Sequence, residues 1–416
     1  MRVSLGLVFC VLSGPAMASP LGEQLPELLY AGQATAQRDG FADACDSGHA
    51  DACFGVGLID VILAAEGLSQ ALYRHGATTP DMRAAALFLG TRDEVSAGPA
   101  NPNPEPLSYE GLRAIFDDFV TGLDQAQQGF LLAAEAGEEF SIVIDPLRVR
   151  LDINGDGQAS DGETLATLLD DILDLPQGKT KGDKTASVDT TIGFDRADAY
   201  WFAGYTQVTA APFDFVLAHD FSKFFGAIGH RIFPKAGLPM QDYTRGGTLM
   251  MDPDTDTFLS DAIAALHTAQ FPVADPERLK GVLERLQSVT ALSRQNWEAI
   301  LSETDDNREL VPSPSQTSIM PGHDVTEEVV AAWMATLDSI DAILSGQLLV
   351  PHWRFSQGFD LKVYFETATE TDLVMLLTGQ GALPFLRDGP IADADSFAEG
   401  NAVFGDSWPN FAIWFN

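Results

Sequence analysis

Leu107-Ser-Tyr-Glu-Gly-Leu-Arg-Ala-Ile-Phe-Asp-Asp-Phe-Val-Thr-Gly-Leu123 is the stretch from which the fold class can be read. Leu112, Ile115, Phe116, Phe119 and Leu123 recur at i, i+3, i+4, i+7 and i+11, the spacing of one helical face. The pattern predicts a helix that continues to Gly137. Other segments repeat it. Val56, Ile59, Val61, Ile62, Leu72 and Tyr73 punctuate an Ala-rich run from Asp51 to Gly76. Asp275-Pro276 reads as N-cap and first helical residue, followed by a buried stripe of Leu279, Val282, Leu283, Leu286 and Val289. Asp324 with Glu327 reads as a capping box for a helix carrying Val330, Trp333, Leu337, Ile340 and Leu344, which stops near Ser345-Gly346.

Two segments break the helical rhythm. Pro99 to Pro106 is too proline-dense for a helix or a ladder. Phe359-Asp-Leu-Lys-Val-Tyr-Phe365 alternates as a half-buried strand would. The apolar end, Phe411 to Phe415, is costly to leave in water and should pack into the body. The expectation is a mostly α protein, a helical bundle-like body with a minor β element near the C-terminus.

The 416 residues are 45% hydrophobic and 20% charged, enough for a substantial core. Lys and Arg total 24 against 60 Asp and Glu, a formal net charge of −36. Such a field repels phosphate backbones and anionic headgroups, so neither nucleic acid nor an anionic membrane surface is an expected partner. Met1-Arg2, the apolar run Val3 to Leu12 and Ala16-Met17-Ala18 form the three parts of a secretory signal peptide, residues 1–18, cleaved after Ala18. No later stretch is apolar enough for stable membrane insertion, so a periplasmic or secreted location is expected. Two helical regions are expected, residues 19–175 and 192–416. Residues 176–191, with three lysines and no large apolar residue, would be a linker or a long loop.

Cys45 and Cys53, eight apart around Gly48, sit where two helices joined by a tight turn would bring them within disulfide reach. The segment resembles the bridged helix-turn-helix of Sel1-like repeats over a short span without a second copy. Two buried free thiols are the other reading.

Chemistry concentrates in Asp152-Ile-Asn154-Gly-Asp156-Gly157-Gln158-Ala-Ser160-Asp-Gly-Glu163. Asp152, Asn154 and Asp156 alternate, Gly157 sits where the chain must turn with positive φ, Gln158 offers a backbone carbonyl, Ser160 a hydroxyl, and Glu163 two oxygens. The spacing resembles the twelve-residue calcium loop of EF-hands. The resemblance implies that these six residues ligate Ca2+, and Leu165, Leu168, Leu169, Ile172 and Leu173 fit the exiting helix. Pro146 limits any entering helix to about one turn, Ala159 replaces the apolar residue that pairs two hands, and there is no second loop. A structural clamp is therefore expected rather than a sensor. Asp252-Pro-Asp254-Thr-Asp256 lacks the Gly and the final Glu and reads as a solvated turn.

The aromatic-rich stretch Phe194 to Phe233 reads as core, with an apolar ligand groove as the alternative. His219 and His230 lie about three helical turns apart beside Asp220, too far on a straight helix to share one metal. The chain has no G-x-S-x-G, H-E-x-x-H, P-loop or dinucleotide fingerprint. The expected function is that of a non-enzymatic calcium-binding or envelope component. The alternative is an exported hydrolase with structural calcium and a site in residues 194–233.

Overall fold

The computed structural model describes residues 21–78, 101–167, 189–240, 253–319 and 324–415. The expected signal sequence, most of the expected linker, and the stripe Leu168 to Leu173 lie outside the described residues. The fold is mostly α, as the periodicity predicts.

Three helices open the chain: α1 (Leu25–Tyr30), α2 (Arg38–Asp46) and α3 (Ala50–Arg74). Between α2 and α3, Gly48 takes φ +94°, a left-handed conformation that lets the chain reverse within a few residues. Cys45 and Cys53 are joined there by a disulfide. It closes a loop of separation eight, so loop entropy assigns the bridge about 2 to 3 kcal/mol. A Cys45→Ser/Cys53→Ser protein should show that loss as a lower urea midpoint with an unchanged slope.

Helix α4 (Tyr109–Glu135) begins at Ser108, whose hydroxyl accepts from the Gly111 N–H at 3.0 Å. Next come α5 (Arg196–Leu217), α6 (Ser222–Ile228), α7 (Pro253–Thr268) and α8 (Pro276–Ser302). The N-cap of α8 is Asp275 with Pro276 first in the helix, as the dipeptide predicts. Then follow α9 (Glu327–Leu344), α10 (Leu361–Thr367), α11 (Leu373–Thr378), α12 (Ala398–Phe404) and α13 (Trp408–Phe415). Among the described residues there are six strands, β1 (Ile142–Ile144), β2 (Ile192–Phe194), β3 (Gln270–Pro272), β4 (Gly358–Phe359), β5 (Glu370–Asp372) and β6 (Leu386–Arg387). They pair antiparallel as β1–β2, β3–β5 and β4–β6.

Long helices α3, α4, α5 and α8 stand side by side, each antiparallel to the next. A Cβ on Gly129 of α4 would meet the Gly57 nitrogen of α3 at 2.8 Å, so the two helices approach backbone to backbone. Ring contacts Phe130–Phe202 (5.1 Å) and Phe119–Phe213 (4.8 Å) pack α4 on α5. Helix α5 meets α8 through ions: Asp214 accepts from Arg278 and Arg285, each at 2.5 Å. The main core gathers Phe41, Phe54, Phe130, Phe194 and Leu292, drawing from both sides of residues 176–191. A second core holds Trp297, Trp333 and Phe415, the last fully buried, so the apolar end packs inward as its composition predicts.

Three sequence readings need correction. Residues 361–367 form a helix, not a strand: Asp360 accepts from the Val363 N–H at 3.0 Å and caps it, and only Gly358–Phe359 pairs as β. The sequence alternation does not carry over into burial: Tyr364 and Phe365, adjacent in sequence, are both buried in a cluster with Leu279, Val282 and Leu283 of α8 and Phe385. Helix α9 is capped by Thr326, whose hydroxyl accepts from the Val329 N–H at 3.2 Å, rather than by Asp324. Residues 253–256 are the first turn of α7 rather than a solvated turn, with Pro253 leading.

Candidate metal centre

The loop at 152–163 is entered through one 3-10 turn, Pro146–Arg148, in place of a full helix. Its neck is closed by an antiparallel bridge of Arg150 with Thr164, and Leu151 donates its N–H to the Glu163 carbonyl at 3.0 Å. Inside the loop each short polar side chain folds back on the backbone. Asp152 accepts from Gly155 (2.8 Å) and Gly157 (2.9 Å) with its two oxygens. Asn154 accepts from Asp156, and Asp156 from Gln158, each at 2.8 Å. Gly155 and Gly157 take φ +75° and +84°, where side chains are strained. Glu163 is buried, and its carboxylate accepts from Ile153 (3.3 Å) and Ser160 (2.8 Å), so it reaches back across the loop.

All six sequence-assigned residues therefore share one compact turn. Its donors are three carboxylates, an amide, a hydroxyl and backbone carbonyls, the oxygen set that a hard divalent cation takes. Arg150, just before the loop, is held by Asp161 at 2.5 Å, a residue outside the ligand positions. The loop sits on α3: Asp152 donates its N–H to Glu66 at 2.9 Å, and Gln70 donates to the Asp152 carbonyl at 2.7 Å. Burial raises the pKa of Glu66; the Asp152 N–H opposes this, and the charges of Asp152 and Glu163 add to it.

A second acidic group was not legible in the sequence. Side-chain oxygens of Asp195, Glu303 and Glu309 lie within 4.8 Å of one another, the one such grouping among the described residues; the carboxylates of Asp152, Asp156 and Glu163 are not gathered that closely. Local structure explains each placement. Asp195 is the N-cap of α5, accepting from Ala197 at 2.7 Å, and Asp198 returns the bond from the Asp195 N–H at 2.9 Å. Glu303 follows the last turn of α8 and accepts from Gln316 at 2.9 Å. Glu309 accepts from Asn307 at 2.8 Å, beside β2, where Gly193 bridges to it. A Cβ at Gly193 would lie 2.2 Å from the Asn307 carbonyl, so that approach requires glycine. Asp195 and Glu303 line a cleft of about 560 Å³ with Glu139, Arg196 and Asp305.

Electrostatics there is set by burial. Desolvation lifts Glu303 to about 8, aided by the Asp195 charge, and Glu309 to about 7. Asp195 rises to about 6 for the same reason, against hydrogen bonds that hold it down. Fully enclosed Asp198 is pushed well above the carboxylate range by desolvation and by Asp195. The cluster is thus a store of bound protons near neutrality.

The histidines do not converge. His219 is buried, with Nδ1 2.6 Å from the Phe215 carbonyl and Nε2 2.7 Å from Thr371 Oγ1, and desolvation lowers its pKa. His230 lies 3.2 Å from Asp261, which also accepts from Arg231 at 2.5 Å. Asp220 accepts instead from Tyr109 at 3.0 Å and from the Ser222 N–H. Among the aromatics of residues 194–233, Phe194, Tyr200, Phe225 and Phe233 are buried, while Trp201, Phe202, Phe213, Phe215 and Phe221 are partly buried and pack against the cores.

No protein-family model, curated protein or solved structure matches the chain.

Proposed function

We propose that this is an exported, calcium-stabilised helical protein, a binding or envelope component rather than a catalyst. In it the 152–163 loop clamps the N-terminal helices to one another. The observation that carries the reading is the loop itself: Asp152, Asn154, Asp156 and Glu163 curled about a turn with Gly157 at φ +84°. The loop touches more than its own ends. It meets α3 through Glu66 and Gln70, and its entering strand meets α1 through the Arg150 N–H on the Leu29 carbonyl at 3.2 Å. A cation there would tie α1 and α3 together. The Cys45–Cys53 bridge supports an oxidising compartment, as the N-terminal sequence does.

Calorimetric titration of the mature protein with CaCl2, with thermal melting in parallel, tests this reading. One saturable binding event is expected, with stabilisation of about 1 to 3 kcal/mol at ten- to a hundredfold saturation. Both should vanish in an Asp152→Ala/Glu163→Gln variant. Absence of binding at millimolar calcium would overturn the proposal. N-terminal sequencing of the exported protein should begin at Ser19.

A further inference from the structure

Asp152, the first ligand position of the loop, is held by α3 through its backbone. Glu66 and Gln70 lie four residues apart, about one turn of α3, and so share a face. Glu66 accepts from the Asp152 N–H at 2.9 Å, and Gln70 donates its Nε2–H to the Asp152 carbonyl at 2.7 Å. Both polar groups of one residue's backbone are thus engaged by side chains 86 and 82 residues away in sequence. With that backbone fixed, the carboxylate has few directions left, and its two oxygens turn onto Gly155 and Gly157 of the loop. The stem of Gln70 also packs beside Gly155, where an added Cβ would sit 3.4 Å from Gln70 Cγ.

A second contact holds the loop at Ala159, the position through which two hands would pair. Ala159 lies against Gly32, in the turn that follows α1: a Cβ on Gly32 would stand 2.4 Å from that of Ala159. The neck of the loop is tied to α1 as well, through the Arg150 N–H on Leu29. The loop is therefore seated in a socket built from α3 and the end of α1. A free loop must order its ligands when a cation arrives, and the lost entropy weakens binding. A loop already fixed at its first ligand and at Ala159 has less to lose, so the same oxygens bind more tightly.

We infer that Glu66 and Gln70 are positioning residues for the cation: with Gly32 they form a socket that stands in for a second loop and sets the affinity of the first. The inference rests on the calcium reading above. The test is calorimetric titration of the full mature protein and its variants with CaCl2, with amide hydrogen exchange of residues 62–74 in parallel. Glu66→Ala/Gln70→Ala removes both bonds and no ligand, and should weaken binding about ten- to a hundredfold. Each single alanine variant should weaken it about three- to tenfold, and these serve if the double variant does not fold. Glu66→Gln keeps an oxygen for the Asp152 N–H. It should stay within about threefold of the wild type in about 0.5 M KCl, which screens the lost charge. Calcium should slow exchange in α3 of the wild type and of Glu66→Gln, but not of the double variant. A wild type that takes up no calcium removes the calcium reading and this inference with it. A wild type that binds, with alanine variants binding within about twofold of it, overturns the inference alone, even where those variants melt lower without calcium. Glu66→Gln as weak as the double variant overturns the hydrogen-bonding role.

Discussion

Replacing Asp214 with alanine should lower the unfolding free energy by about 3 kcal/mol. Asp214 is 5% exposed and sits between two guanidinium groups, accepting from Arg278 and Arg285 at 2.5 Å each. Arg285 goes on to Asp124 at 2.5 Å and to Gln207 at 2.7 Å, and Arg278 to Asp117 at 2.7 Å. One carboxylate thereby joins α4, α5 and α8. Alanine leaves both arginines half-buried with less than their complement of acceptors, and removing one partner of a buried pair costs far more than the pair itself contributes. Adding Arg285→Met to the Asp214→Ala protein should restore part of the loss, because the uncompensated charge goes too. Chemical denaturation of the three proteins checks both statements. A single-variant loss under 1 kcal/mol would show that water reaches the network.

Raising the pH from 5 to 8 should cost stability on the order of 4 kcal/mol through the Asp195–Glu303–Glu309 cluster, after allowance for partial solvent access. The sign follows from the direction of the shifts. In the unfolded chain these groups titrate near ordinary carboxylate values, 3.8 for Asp and 4.5 for Glu. In the folded protein they hold their protons to about 6, 7 and 8. The contribution is complete below the unfolded values and drains as pH climbs through the folded ones, because the unfolded state has already ionised. Glu303→Gln keeps an acceptor for Gln316 and removes the highest of the three. It should match the wild type at pH 5 and exceed it by about 2 kcal/mol at pH 8 or above. Melting temperatures across this range decide the matter. A flat profile would mean the cluster ionises freely.

The helices were legible where one face alone is buried. Leu112 to Leu123 and Leu279 to Val289 keep a strict stripe because α4 and α8 each present a wet side. Residues 359–365 misled because Tyr364 and Phe365 are buried together at a crowded junction, where tertiary packing overrides the two-residue alternation. The candidate calcium loop could be picked out in the sequence because every expected ligand lies within twelve consecutive residues. The acidic cluster was not, since Asp195 caps one helix while Glu303 and Glu309 follow the end of another. A capping pattern, Asp195 with Asp198, is visible in the sequence, but nothing local says that two glutamates will close over it.

Helix α3 carries a further consequence. Near its start Cys53 is tied covalently to α2, and farther along Glu66 and Gln70 hold the loop backbone. One fastening depends on an oxidant, and under the proposed function the other depends on millimolar-range calcium. The cytosol supplies neither, whereas the space outside supplies both. The two contributions together are comparable to a large fraction of what keeps an ordinary domain folded. Under the proposed function the chain would thus carry its own address check: before transfer the helix would be poorly anchored, and after arrival the surroundings would lock it shut.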